Sequence, residues 1–140
     1  MSIKVYLAGA CKNIPDEGAA WRNQATAMLE QAAEWNNIKI KVINPLNYFT
    51  YAENKQKSHK QVKNFYMNQI RKCDVVLVNL SHTDTSPGTA QETQFAVDHD
   101  IPVIGFGTTD IYSWISDVDC DVTFESMTEA IDYISDYYME

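Results

Sequence analysis

A near-continuous apolar run, DVVLVNL at residues 74–80, constrains the fold more than any other feature of the chain. Such runs are typical of strands that are buried on both faces, which occur in parallel sheets covered by helices on both sides. Segments rich in helix-forming residues flank the run, at residues 61–73 and 88–99. The run therefore predicts a strand of a parallel sheet in an α/β domain.

The rest of the chain continues this alternation of strands and helices. Residues 17–35 carry apolar side chains at steps of three and four and predict an amphipathic helix, and Ser126 and Glu129 form a capping-box pattern that opens a last helix. The polar and aromatic residues 44–61 predict a long loop. The other predicted strands are IKVYLAG (3–9), IKIKVI (38–43), PVIGFG (102–107) and a short one near residues 121–125.

These elements predict one compact domain spanning residues 1–140. The expected fold is a flavodoxin-like, doubly wound α/β domain with a parallel sheet of four to five strands. In such sheets, ligands bind beyond the carboxyl ends of the strands. The segment SPGTAQETQFA, residues 86–96, follows one of those ends and lies on that rim.

Composition excludes several classes of function. The 140 residues include 45% hydrophobic and 21% charged side chains, which is ordinary for a globular domain, and the net charge is −8. Because phosphate contacts need Lys and Arg, we expect neither general nucleic-acid binding nor attachment to anionic membranes. No apolar run approaches the ~20 residues of a membrane span, and MSIKVYLAG leads directly into a strand pattern rather than a signal segment.

Residues that bind metals or form disulfides are dispersed along the chain. The odd, scattered cysteines suggest free thiols in a reducing cytosol, so a cytoplasmic location is expected. The histidines are expected at the surface, and no metal or other cofactor is expected. The residues concerned are Cys11, Cys73, Cys120, His59, His82 and His99.

An acidic run, Asp117, Asp119 and Asp121, resembles half of a calcium-binding loop. The pattern lacks the glycine of the sixth position, and Thr128 stands where a calcium loop has its twelfth-position Glu. We therefore expect a solvated loop at these residues.

Glu92 admits two interpretations. Thr89 and Glu92 have the spacing of a capping box, and an acid in the first helical turn is favoured by the helix dipole. Alternatively, the carboxylate faces the cleft, is kept ionised by backbone amides, and attacks an anomeric carbon as in retaining glycosidases. The spacing by itself favours capping.

An ordered set of short segments carries a resemblance to the nucleoside 2-deoxyribosyltransferase family, over roughly residues 3–107. The segments are VYLAGA, WR in the first helix, NP after the second strand, CDVVLVNL, GTAQE and PVIGFG. The resemblance implies that Glu92 is the nucleophile that takes the deoxyribose and that Tyr6 orients it. It also implies a homo-oligomer that works without a metal on a nucleoside or nucleotide and a nucleobase.

Two positions depart from the transferases. They usually have an Asp six residues before the nucleophile, where this chain has Ser86, with Asp84 two residues further back. The related nucleoside 5′-monophosphate N-glycosidases carry a Ser at this spacing that binds the 5′-phosphate. Both groups usually have an Asp at the position of Tyr66, which would protonate the leaving base, so Asn68, or an acid from elsewhere such as Asp84, would have to substitute for it.

Further candidates for substrate contact lie on the same rim. Arg22 is suited to a phosphate or carboxylate, and Asn79 either borders the sugar site or ties down a loop. Gly9 and Gly88 either let a ligand approach the backbone or are simple turn glycines. The full set predicted to contact substrate is Gly9, Arg22, Asn79, Asp84, Ser86, Gly88 and Thr89.

Aromatic side chains near the rim have alternative interpretations. Trp21 is expected in the core, with a base platform as the alternative, and Tyr48, Phe49 and Tyr51 are either core residues or a lid that stacks on a nucleobase. The tail DYYME, 136–140, either ends an amphipathic helix or completes a base site in a neighbouring chain, as the family resemblance implies.

Three hypotheses follow for the function. The first is an enzyme of nucleoside salvage that cleaves the N-glycosidic bond of a 2′-deoxynucleoside through Glu92 and transfers the sugar to another base. The second is hydrolysis of a nucleoside 5′-monophosphate, favoured by Ser86. The third is a non-catalytic nucleotide-binding module.

Overall fold

The computed structural model describes residues 1–12, 14–48, 58–83, 86–107 and 114–140. Strands and helices alternate along these ranges, and a 3-10 turn (Pro45–Asn47) and a π-helical segment (Ile115–Asp119) lie between them. The strands are β1 (Ser2–Ala8), β2 (Lys39–Ile43), β3 (Val75–Asn79), β4 (Val103–Phe106) and β5 (Val122–Phe124). The helices are α1 (Ala19–Trp35), α2 (His59–Arg71), α3 (Pro87–Asp98) and α4 (Met127–Tyr138).

The strands form one sheet in the order β2-β1-β3-β4-β5, and every neighbouring pair is parallel. This confirms the predicted flavodoxin-like α/β fold. The middle strand, β3, is the one predicted from DVVLVNL, and its residues Val75 to Val78 are fully buried. Its apolar run follows from this position, since helices cover the sheet on both faces.

Two hydrophobic cores lie on opposite faces of the sheet. One contains Val5 and Leu7 of β1 together with side chains of α1 and α4. The other contains Tyr6 and Ala8 of the same strand together with side chains of α2 and α3. Because successive strand residues point to opposite faces, Tyr6 faces α2 and α3, and this orientation positions the candidate site.

The helix starts depend on local caps, and the sequence indicated the one at Ser126. Ser126 accepts the N–H of Glu129 at 3.2 Å, which confirms the predicted start of α4. Helix α1 begins at Ala19, two residues later than expected, since Gly18 precedes it in a left-handed conformation with φ of 82°. The Asp16 carboxylate accepts the N–H of Gly18 and of Ala20, each at 2.9 Å, and so supplies the cap.

Asp117 and Asp121 of the acidic run are exposed, as predicted, but the prediction of a solvated loop was wrong for Asp119. Asp119 is only 7% exposed and accepts a hydrogen bond from the Thr93 hydroxyl at 2.9 Å. The Asp121 carboxylate accepts the N–H of Val103 at 3.1 Å. The carboxylates of Asp119 and Asp121 both accept hydrogen bonds from residues that are distant in sequence. The spacing of the acids along the chain does not reveal such partners. Among the described residues, no cluster of His, Cys, Asp and Glu is suited to hold a metal ion.

The histidines are at the surface and the cysteines are unpaired with one another, as the sequence predicted. His59, His82 and His99 are exposed, and the three cysteines are free thiols. Within the described part of the chain, none of the helices has the length and apolar character needed to cross a bilayer.

Candidate active site

Tyr6 and Glu92 meet at the rim of the sheet although 86 positions separate them in sequence. The Tyr6 hydroxyl donates a hydrogen bond to Oε2 of Glu92. Tyr6 is fully buried in β1, whereas Glu92 in α3 is half-buried. The structure therefore brings together the two residues predicted to be catalytic.

Helix α3 does not begin where the capping interpretation of Glu92 requires. Pro87 is the first helical residue, and Ser86 is the cap, whose Oγ accepts the N–H of Thr89 at 3.4 Å. A backbone N–H at the first helical position has no acceptor within the helix, so proline, which lacks an N–H, is favoured there. Pro87 therefore places the cap at Ser86. Glu92 lies beyond the first turn, which contains no acid. Capping by Thr89 and stabilisation of Glu92 by first-turn amides were therefore both wrong, since the described partner of Glu92 is Tyr6.

Burial controls the ionisation of the pair. It raises the pKa of Glu92 from its ordinary value of 4.5 to about 7, against the hydrogen bond from Tyr6 and the positive charge of Arg22, which lower it. Burial, followed by the charge of Glu92, raises the pKa of Tyr6 well above its usual range. The Tyr6 phenol therefore stays a hydrogen-bond donor, while Glu92 changes its charge near neutral pH.

Arg22 lies in the interior, with only 1% of its side chain exposed. Its guanidinium donates to the carbonyl oxygens of Gly9 at 2.9 Å, Glu17 at 3.1 Å and Gly18 at 3.4 Å. It also lies over the Trp21 ring, with its central carbon 4.7 Å from the ring centroid. Contact between Arg22 and substrate stays a prediction, and the described contacts tie down the turn after β1.

Three further residues predicted to contact substrate are Gly9, Gly88 and Asn79, and their surroundings differ. A Cβ on Gly9 would lie 3.0 Å from the Trp21 ring, so the glycine there makes room for a side chain of its own chain. A Cβ on Gly88 would contact nothing within 4 Å, and the backbone there is exposed. The Asn79 side chain accepts the N–H of Ser81 at 3.0 Å and ties down the loop after β3. Substrate binding by Gly9, Gly88 and Asn79 stays a prediction.

Tyr66 occupies the position where an acid was expected to assist the leaving base. Its hydroxyl donates to the carbonyl oxygen of Pro45 at 3.2 Å, and its ring meets the Tyr6 ring edge-on at 6.4 Å between centroids. The sequence showed only that Tyr66 stands where an Asp was expected. No local pattern indicated the contact between the Tyr66 and Tyr6 rings. Asn68 is half-buried on the same helix. Asp84, the other candidate, lies outside the described residues.

The aromatic residues near the rim lie partly outside the described residues, whereas all of the tail lies within them. Trp21 packs edge-on against Phe106, with 5.6 Å between ring centroids, as expected of a core residue. Of the proposed lid, Tyr48 is 45% exposed, and Phe49 and Tyr51 lie outside the described residues. In the tail, Met139 is 1% exposed in the core of its own chain. A lid over a base and a tail that completes a neighbouring site both stay predictions.

The Tyr6–Glu92 pair meets one requirement of covalent catalysis, a carboxyl group with a hydrogen-bonding neighbour. A nucleophilic carboxylate requires a neighbour that orients it and an open approach for the substrate. The Tyr6 hydroxyl, through its hydrogen bond to Oε2 of Glu92, is a neighbour of this orienting kind.

Comparison with known proteins identifies a family. The sequence profile described as nucleoside 2-deoxyribosyltransferase matches residues 5–129, which is most of the chain. None of the curated proteins searched matches it. This family points to glycosyl transfer or N-glycosidic cleavage as the type of chemistry.

Solved structures share the fold at low sequence identity. The 2-deoxyribosyltransferase of Bacillus psychrosaccharolyticus is 19% identical, with a TM-score of 0.69 over 93% of this chain and 91% of that one. The 2-deoxyribosyltransferase of Leishmania mexicana is 18% identical, with a TM-score of 0.66 over 97% and 99% of the two chains. The CMP N-glycosidase of Clostridium botulinum is 14% identical, with a TM-score of 0.56 over 96% and 99% of the two chains. At these identities the likeness shows the fold alone.

Proposed function

Because the chain belongs to the nucleoside 2-deoxyribosyltransferase family, we propose that it cleaves the N-glycosidic bond of 2′-deoxynucleosides and transfers the sugar to another nucleobase. The observation that carries this proposal is the hydrogen bond from Tyr6 to the half-buried carboxyl group of Glu92. It supports Glu92 as the nucleophile and Tyr6 as the group that orients it.

The reaction takes two displacement steps at C1′ of the sugar. In the first, Oε1 of Glu92 bonds to C1′ as the C1′–N bond breaks, and the bonding electrons leave with the base, which takes up a proton. In the second, a ring nitrogen of the acceptor base bonds to C1′ and releases its proton to solvent, while the C1′–O bond to Glu92 breaks and Glu92 departs with the bonding electrons as a carboxylate. The Tyr6 hydroxyl holds Oε2 throughout, which fixes the direction of Oε1.

The raised pKa of Glu92 sets the pH range of this chemistry. Only the carboxylate form attacks, and the pKa of about 7 means that this form becomes the major one above neutrality. A more basic carboxylate is also a stronger nucleophile once it is ionised. We therefore expect kcat/KM to rise with pH as Glu92 loses its proton.

A second candidate function, hydrolysis of nucleoside 5′-monophosphates, is favoured by the start of α3. The hydroxyl groups of Ser86 and Thr89 lie 2.7 Å apart there, and the neighbouring Gly88 is exposed. Exposed backbone at a helix N-terminus is suited to phosphate, which the helix dipole attracts. Water would then replace the acceptor base in the second step. A non-catalytic nucleotide-binding module is the third candidate.

Product analysis separates these candidates. The protein is incubated with a 2′-deoxynucleoside and a different free base, and separately with 2′-deoxynucleoside 5′-monophosphates. Exchange of the base supports the transferase, free sugar phosphate supports the hydrolase, and binding without turnover supports the module. The covalent step is tested by acid quenching, followed by mass analysis of the peptide that contains Glu92.

The matched control is Glu30→Gln, which makes the same chemical change at an exposed position of α1. Wild type and Glu30→Gln should both exchange bases and carry the sugar on Glu92. Glu92→Gln should do neither. Turnover by Glu92→Gln within about tenfold of wild type, equivalent to only ~1.4 kcal/mol of barrier, would contradict the covalent mechanism.

A further inference from the structure

The Arg22 guanidinium is a buried positive charge whose described partners are main-chain oxygens and the Cys11 thiol. Its two Nη atoms donate to the carbonyl oxygens of Gly9, Glu17 and Gly18. Within the described part of the chain, its Nε is buried and has no hydrogen-bond partner. Burying a guanidinium is costly unless an opposite charge compensates it, and carbonyl dipoles do so only partly. This cost indicates that the buried charge of Arg22 has a role at the neighbouring Tyr6–Glu92 pair.

Two glycines make room for this guanidinium and the ring beneath it. A Cβ at Gly18 would lie 2.3 Å from Nη1 of Arg22, and a Cβ at Gly9 would lie 3.0 Å from the Trp21 ring. The Trp21 ring in turn lies under the guanidinium, in the geometry of a cation–π contact. The turn between β1 and α1 is therefore shaped around Arg22.

Arg22 is connected to the Tyr6–Glu92 pair through the end of β1. Gly9, whose carbonyl oxygen accepts a hydrogen bond from Arg22, follows Tyr6 by three residues. Holding Gly9 therefore fixes the end of the strand that carries Tyr6. The positive charge of Arg22 also acts on Glu92 itself, where it lowers the pKa against the larger effect of burial.

We propose that Arg22 is a positioning residue, which fixes the turn beside Tyr6 and supplies the buried positive charge that favours the carboxylate form of Glu92. It acts through Gly9 and Glu92 rather than on the substrate. In the first step it increases the ionised fraction of the nucleophile. In the second step it stabilises the carboxylate that departs from C1′. The inference rests on the proposed function through the role of Glu92 as nucleophile.

The test compares two variants that separate the charge of Arg22 from its hydrogen bonds. Arg22→Met removes both the charge and the hydrogen bonds. Arg22→Lys keeps the charge but lacks the planar set of N–H donors that the guanidinium presents to the carbonyl oxygens. The first readout is the titration of the Glu92 carboxyl carbon by ¹³C NMR without substrate, assigned with Glu92→Gln. The second is the pH dependence of kcat/KM for deoxyribosyl transfer. Arg71→Met, at an exposed position of α2, is the control.

Arg22→Met should raise the titration midpoint of Glu92 and the acidic limb of kcat/KM together, by about half to one pH unit. Arg22→Lys should keep the wild-type midpoint, while its kcat/KM falls about tenfold at every pH, since the carbonyl oxygens of the turn lose the guanidinium donors that hold them. Arg71→Met should match wild type in both readouts.

A folded Arg22→Met protein with the wild-type midpoint would overturn the inference, as would wild-type kcat/KM in Arg22→Lys. If Arg22→Met does not fold, Arg22→Gln replaces it, because its amide keeps one donor for Gly9. Loss of folding in both would assign Arg22 a purely structural role and also overturn the inference. A shifted titration without any nucleoside turnover would uphold the role of Arg22 and refute the proposed function.

Discussion

Replacing Glu92 with Gln should stabilise the folded protein at neutral and alkaline pH while it removes activity. The wild-type carboxyl group has a pKa of about 7 in the folded protein, against 4.5 for an ordinary Glu. Between these values the folded state binds more protons than the unfolded state, so wild-type stability falls as the pH rises. A glutamine has no proton to lose and avoids this cost.

The magnitude follows from the difference between the two pKa values. Each pKa unit corresponds to ~1.4 kcal/mol, so ionising Glu92 in its folded surroundings costs up to about 3 kcal/mol. This contribution to stability is fully present below the unfolded pKa of 4.5 and is lost by about pH 8, above the folded pKa. The advantage of Glu92→Gln should therefore grow from near zero at about pH 4 to about 3 kcal/mol at about pH 8.

Urea unfolding at a series of pH values, followed by circular dichroism, measures the free energy of unfolding for both proteins. The quantity of interest is their difference at each pH, since the other titrating groups are shared and cancel. Glu30→Gln on the exposed face of α1 is the control, and its difference from wild type should not change with pH. A Glu92→Gln advantage that is absent at about pH 8, or that shrinks as the pH rises, would refute the argument from burial.

Three further predictions concern the same site. Tyr6→Phe removes a hydrogen bond that lowers the pKa of Glu92, so the acidic limb of kcat/KM should move to higher pH; an unchanged or lower limb would show that Tyr6 does not hold the carboxylate. Ser86→Asp should lower kcat/KM on the order of a hundredfold for a monophosphate, since it brings a like charge to the phosphate, but only mildly for the matching nucleoside; an unchanged ratio would mean that Ser86 does not contact the 5′ end. Sedimentation should show a homo-oligomer, and an active monomer at assay concentration would argue against a site shared between subunits.

Local sequence patterns determined the elements and their order. The apolar run at residues 74–80 indicated a strand buried on both faces, and β3 is the middle strand of the sheet. Ser126 and Glu129 indicated the start of α4, where the expected cap is present. These features depend on residues close in sequence, because helix periodicity, strand alternation and caps act over a few positions.

The family resemblance, rather than spacing, singled out Tyr6 and Glu92. Spacing by itself favoured a cap at Thr89, but Pro87 moved the helix start so that Ser86 became the cap. No local pattern reveals that a strand residue and a helix residue 86 positions apart share a hydrogen bond.

Only the tertiary structure decided which polar groups are buried and what they contact. The sequence predicted that Arg22 could bind a phosphate or a carboxylate, and the structure shows that it is enclosed by the turn after β1. Asp119 is likewise enclosed, beside Thr93, rather than solvated. The charge state of Glu92 was also decided there, since burial moves its pKa towards neutrality. The physical reason is that burial and hydrogen-bond partners depend on which strands and helices become neighbours, and this is set by the packing of the whole sheet.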